Sequence, residues 1–167
     1  VAACATMIFG GRLRFKNPGA FIEVYHGTSH AGANSIRQNG IDITFTRPDT
    51  DFGQGFYTTT DRKQAEDWVR QRYGTGEVLT FRIPVAELHT LRTYSFRGAS
   101  ANWQDFVRSN RLGKGIPKQF LNFDAIEGRM LFKVKNFLAG APPDARGHQI
   151  TWYSDKALNI LMRGLVR

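Results

Sequence analysis

Two short stretches carry side chains whose types and spacing could do chemistry together: Tyr25-His26-Gly27-Thr28, and Phe52-Gly53-Gln54-Gly55-Phe56-Tyr57-Thr58-Thr59 about thirty residues later. In the first, His26 offers a ring nitrogen for hydrogen bonding, and Gly27 leaves bare backbone that a flat ligand can approach closely. Thr28 can add a further bond. In the second, Gly53 and Gly55 suit a bulged entry into a strand, so that Tyr57 turns an aromatic face outward. Such a face attracts a flat cationic ring by roughly 0.5–2 kcal/mol, depending on desolvation. The plainer readings are a histidine topping a strand, a Gly-Thr turn after it, and a tyrosine packed as an ordinary strand aromatic.

Taken in order, the two motifs resemble the NAD+ pocket of ADP-ribosyltransferases of the diphtheria-toxin and poly(ADP-ribose) polymerase type. The continuation fits the same family: Thr59, then a helix bearing Ala65 and Trp68. The resemblance implies that His26 bonds ribose hydroxyls, that the Gly27 backbone reads the nicotinamide carboxamide, and that Thr28, Gly55 and Tyr57 complete the cofactor-binding set. It implies a single slot with the imidazole of His26 and the phenol of Tyr57 on opposite sides. The family also places a Glu, or in some branches a Gln, at the start of a late strand. Gln149 matches that position, which makes the implied catalytic set His26, Tyr57 and Gln149. A neutral amide can position a ribose, but it cannot stabilise an oxocarbenium-like charge as a carboxylate does, nor act as general base. Glu127, in Asp124-Ala125-Ile126-Glu127-Gly128, is the alternative carboxylate for this third position, its plainer role being a strand or turn residue.

The activity so implied is mono-ADP-ribosyl transfer, with NAD+ as co-substrate, no metal, and a protein, an RNA or a ribonucleoprotein as acceptor. The resemblance also suggests the toxin module of a bacterial polymorphic toxin, a monomer secreted or injected to act in the target-cell cytoplasm, with an acidic immunity protein as partner. Two rival classes stand beside it: a non-catalytic RNA-binding module, and an NAD+ glycohydrolase in which water replaces the acceptor.

The whole chain sets bounds on these readings. Its 167 residues suit one domain with one core. Lys and Arg number 23 against 14 Asp and Glu, a formal net charge of +9 that favours polyanionic or acidic partners. Arg47, between the motifs, can reach a pyrophosphate or a target, and most other cations read as solvated surface. Cys4 is the single cysteine, which excludes an intrachain disulfide and a Cys-type zinc site. His26, His30, His89 and His148 show no paired metal-ligand spacing. No apolar run has the ~18–20 residues a bilayer span needs, so a soluble chain is expected. Residues 1–11 lack the charged start of a signal peptide. The first residue, Val1, suggests a piece of a longer polypeptide.

The elements that must position these residues read as an α+β domain with a split, mainly antiparallel sheet and a few short helices, as the transferase fold would require. Residues 1–19 form a basic lead-in closed by Asn17-Pro18-Gly19, and the domain spans 20–167. Alternation predicts a strand over 21–26. Ser29 caps a helix that stops at Gly40. Residues 41–45 read as a short strand and 46–55 as a loop. Strand 56–59 leads to a helix over 62–73, with Asp61 and Gln64 spaced as a capping box. Further strands are expected at 78–83, 125–127, 130–137 and 149–153, and helices at 101–110 and after Ser154.

Overall fold

The computed structural model describes residues 19–167; the expected lead-in lies, but for Gly19, outside the described residues. Two sheets form an α+β fold, mostly antiparallel. The smaller pairs β1 (Phe21–Thr28) with β3 (Glu77–Pro84). The larger runs in the order β2 (Phe56–Thr58), β6 (Asp144–Trp152), β5 (Ala125–Phe132), β4 (Thr93–Ser95), and only its β4–β5 pair is parallel. The sheets meet at one point, where Tyr25 and Thr59 exchange both backbone hydrogen bonds, at 2.8 and 2.9 Å. That bridge joins the start of the first motif to the end of the second.

The helices follow from their caps. Ser29 accepts from the Gly32 amide and starts α1 (His30–Asn39), and Gly40, at φ 83°, ends it in the left-handed region. Asp61 accepts from the Gln64 amide at the start of α2 (Arg62–Tyr73), as the capping-box spacing predicts. The Gln64 side chain does not complete the box; it leaves the helix for β6. Pro84 leads into the single turn α3 (Val85–Leu88), Ser100 caps α4 (Ala101–Arg111), and Ser154 caps α6 (Asp155–Arg163).

The larger sheet separates two apolar clusters. One lies among β1, β3 and α6, and takes Phe56, Ile150 and Trp152 from the sheet. The other is largely aromatic, with Phe52, Phe96, Trp103, Phe106, Phe120 and Phe137 packed edge-to-face or tilted. It accounts for much of the phenylalanine excess in the sequence. Side chains alternate across a strand, so neighbours such as Phe56 and Tyr57 are divided between the two clusters.

Three expectations are corrected. Residues 41–45 are not a strand: Ile43–Phe45 is a 3₁₀ turn, because the Asp42 carboxylate accepts from both the amide and the hydroxyl of Thr44 and caps it. Residues 125–127 and 130–132 are one strand, β5, with a bulge between Gly128 and Met130. It stops at Phe132, where Lys133 turns to φ 51° and α5 (Val134–Leu138) begins, so 130–137 is not a single strand. β6 starts at Asp144, five residues before Gln149, and the expected start at 149 is its buried end. β4, α3 and α5 carry no local sequence signal and depend on tertiary pairing.

Candidate active site

His26 lies where β1 meets β2. Its Nδ1 is 2.7 Å from the carbonyl oxygen of Tyr57. A carbonyl only accepts, so Nδ1 carries the proton and donates, which leaves Nε2 as a lone-pair acceptor in the neutral ring. The neutral form prevails because burial lowers the imidazole pKa from 6.5 to about 4, against the smaller opposite pull of the Tyr57 carbonyl. The ring stacks on Phe56, centroids 4.2 Å apart. Among the described residues, Nε2 has no hydrogen-bond partner. A group that needs an acceptor, such as a sugar hydroxyl, would find one there.

Tyr57 follows Phe56 and points to the other face of β2. The imidazole and the phenol are therefore joined through the Tyr57 backbone and do not face each other as two walls of one slot; the period of two along a strand forbids it. The Tyr57 hydroxyl donates to the Gly53 carbonyl at 2.7 Å, accepts from the Phe52 amide at 3.0 Å, and lies 2.8 Å from the Thr50 hydroxyl. Burial raises its pKa, keeping it protonated. With the hydroxyl so engaged, only the half-buried ring face remains for a ligand. Tyr153 donates to the Phe52 carbonyl at 2.6 Å, so two tyrosines pin the same loop.

Gln149 sits on the Tyr57 face of the sheet, since Thr151, two residues on, is the cross-strand partner of Tyr57. Its Nε2 donates to the Asp51 carboxylate at 3.1 Å and to the Arg129 carbonyl at 2.9 Å. Both partners are acceptors, which fixes the amide's orientation and leaves Oε1 without a protein donor among the described residues. A carboxylate here would replace the donating amide with a second acceptor beside Asp51, so the geometry suits Gln at this position. Asp51 is itself buried, salt-bridged to Arg111 at 2.5 Å and accepting from the Leu131 amide at 2.8 Å. Sequence reading treats Asp51 as a turn residue, and no local pattern marks it as the carboxylate that ties the loop to α4, β5 and β6.

Glu127, the alternative third residue, is on the opposite face of the sheet, paired in register with Ile150. It is buried, accepts from the Ser95 hydroxyl at 3.3 Å, and lies 3.5 Å from His148 Nε2. His148 Nδ1 accepts from the Thr60 amide at 3.4 Å. Gln64 clamps the His148 backbone from α2, donating to its carbonyl at 2.7 Å and accepting from its amide at 2.9 Å. That clamp holds the residue beside Gln149.

The two glycines have reasons other than an approaching ligand. A Cβ on Gly27 would stand 2.6 Å from the Ala65 carbonyl oxygen and 2.8 Å from Val69, so glycine lets α2 close on β1. A Cβ on Gly55 would stand 2.5 Å from a Thr151 methyl, so glycine lets the loop cross β6. Thr28 is buried. Of the two α2 residues cited for the resemblance, Ala65 is buried and Trp68 is 51% exposed, with its indole against Gly27. Arg47 is held by both oxygens of Asp49. The structure thus groups His26, Gly27, Tyr57 and Trp68 around the β1–β2 junction and Gln149 beside Tyr57, and puts Glu127 on the other face. Among the described residues no group of His, Cys, Asp and Glu could hold a metal ion, and no helix is long and apolar enough to cross a membrane.

Residues 22–131 match the family described as "Protein of unknown function (DUF3990)". The match covers more than half of the chain, which belongs to that family. No curated protein matches the chain.

Proposed function

We propose that this DUF3990 member is a mono-ADP-ribosyltransferase that takes NAD+ as its second substrate. The observation that carries the reading is the β1–β2 junction: two motifs thirty residues apart are stitched together, and the neutral His26 they share presents an unpartnered acceptor. A dinucleotide lying across the edge strand β2 would meet His26 Nε2 with a ribose hydroxyl on one side and the Tyr57 ring and Gln149 Oε1 on the other, with the Trp68 indole beside Gly27 offering a further face to the nicotinamide ring. In the reaction the bond from ribose C1′ to the nicotinamide nitrogen breaks, an acceptor nucleophile bonds to C1′, and the nucleophile's proton leaves to solvent. The chain's contribution is orientation and exclusion of water, with neutral groups only touching the sugar. On this reading the domain is the toxic module of a bacterial effector acting in the target-cell cytoplasm, opposed by an acidic immunity protein that complements its charge.

The test is nicotinamide release and transfer of label from NAD+ in cell lysate, followed by protease or RNase digestion to identify the acceptor. His26→Ala should abolish both signals while thermal unfolding stays cooperative, and NAD+ should raise the melting temperature of the wild-type protein. A wild-type protein that neither releases nicotinamide nor is stabilised by NAD+ refutes the proposal. Free ADP-ribose with no labelled macromolecule would make it a glycohydrolase.

A further inference from the structure

The positive charge is not spread evenly. Residues 20–99 hold nine Lys and Arg and nine Asp and Glu, whereas residues 100–167 hold eleven against five. The pairing differs in the same direction, although Arg111, Arg146 and Arg163 of the second part do meet carboxylates. In the first part Arg37, Arg47, Arg62, Lys63 and Arg70 each lie against a carboxylate. In the second, Lys114, Lys118, Arg129, Lys133 and Lys135 are exposed and have no carboxylate partner among the described residues. They are carried by the loop after α4, the end of β5, and α5, all built over the aromatic cluster. Arg108 of α4 draws these elements together by lying 4.3 Å from the Phe137 ring of α5. Of the two carboxylates between α4 and α5, Glu127 is buried, and Asp124 accepts from the Arg92 amide and the Ser154 hydroxyl.

Exposed apolar side chains lie among the cations. Phe132 is 38% exposed beneath Arg146, and Leu112 and Leu121 are more exposed still. Unneutralised cations interspersed with exposed apolar side chains suit a chain of phosphates whose bases are free to stack. An acidic protein surface needs the cations but not the ring. The basic surface also begins at the candidate site. Arg129 gives its carbonyl to both Gln149 Nε2 and Trp103 Nε1, so its peptide is fixed while its side chain stands exposed.

We propose that this surface binds a single-stranded polynucleotide and leads it to Gln149 as the acceptor of the transfer. The acceptor role rests on the transferase reading; the binding surface does not.

The experiment measures binding of a fluorescein-labelled oligouridine by anisotropy across a salt series. Neutralising up to five phosphates on a single strand gives a log–log salt slope of roughly −2 to −4. Combined reversal of Lys114→Glu, Lys118→Glu, Lys133→Glu and Lys135→Glu should weaken binding at least ~10-fold. Reversal of Lys63→Glu with Arg70→Glu on α2 should change it by less than about threefold. In the four-site variant NAD+ should still raise the melting temperature and release nicotinamide, with label transfer to RNA lost. A slope near zero, equal loss from the α2 reversal, or polyglutamate bound as tightly as the oligouridine overturns the proposal. A wild-type protein that binds the strand with the expected slope but releases no nicotinamide upholds the surface and refutes the transferase reading alone.

Discussion

His26 and Gln149 stand at the two ends of the candidate site and are held in opposite ways. His26 has a single hydrogen bond to a backbone carbonyl and one stacked ring, and its second nitrogen is uncommitted. Gln149 belongs to a buried network in which Asp51 serves a guanidinium, a main-chain amide and the Gln149 amide at once. One end can change with little cost to the fold; the other is part of what holds β5, β6, α4 and the 50–53 loop in place. The difference separates residues that report on ligand binding from residues whose loss would confuse binding with unfolding.

The comparison breaks most visibly at Asp51. Asp51→Ala leaves the Arg111 guanidinium unpaired and two donors unmet, and should destabilise the protein by roughly 3–5 kcal/mol in urea denaturation. Acid tests the other end. Unfolded His26 protonates near 6.5 and the folded residue near 4, so its contribution is complete above pH 6.5, falls as pH drops through that window, and is gone below about 4. Denaturation at a series of pH values should show a loss of at most ~3 kcal/mol that His26→Asn lacks. Gln149→Glu exchanges a donor for a second carboxylate beside Asp51 and should cost about 2 kcal/mol in the same denaturation assay. Tyr57→Phe, which removes only the hydroxyl that pins the 50–53 loop, should cost about 1 kcal/mol by thermal melting and leave a ring for stacking.

What could be read from the sequence was whatever is set locally. Ser29, Asp61 and Ser154 each accept from the amide three residues on, and their helices stand where those caps predict; the helix expected at 101–110 from its apolar face is there too, capped by Ser100. The residues of the two motifs are found together because strand-ending chemistry and a glycine-flanked tyrosine are both local signals. Their relation in space was not legible, since the bridge from Tyr25 to Thr59 decides it and no spacing encodes that pairing. The roles of Asp51 and Gln64 were equally hidden. Their partners are tens of residues away, and each looks locally like an ordinary loop or capping residue. Gly27 and Gly55 show another limit: a glycine's missing Cβ is visible in sequence, but that a neighbouring element closes on it is not.

The final residues also shape the outer margin of the smaller sheet. The Arg82 amide donates to the Gly164 carbonyl and the Val166 amide to the Thr80 carbonyl, with Phe81 and Leu165 opposite each other. β3 therefore meets its own tail where it would otherwise show a row of vacant peptide groups. A strand added at residues 80–82 would first have to displace that tail, so this part of the margin is closed to the edge-to-edge pairing that an open strand invites.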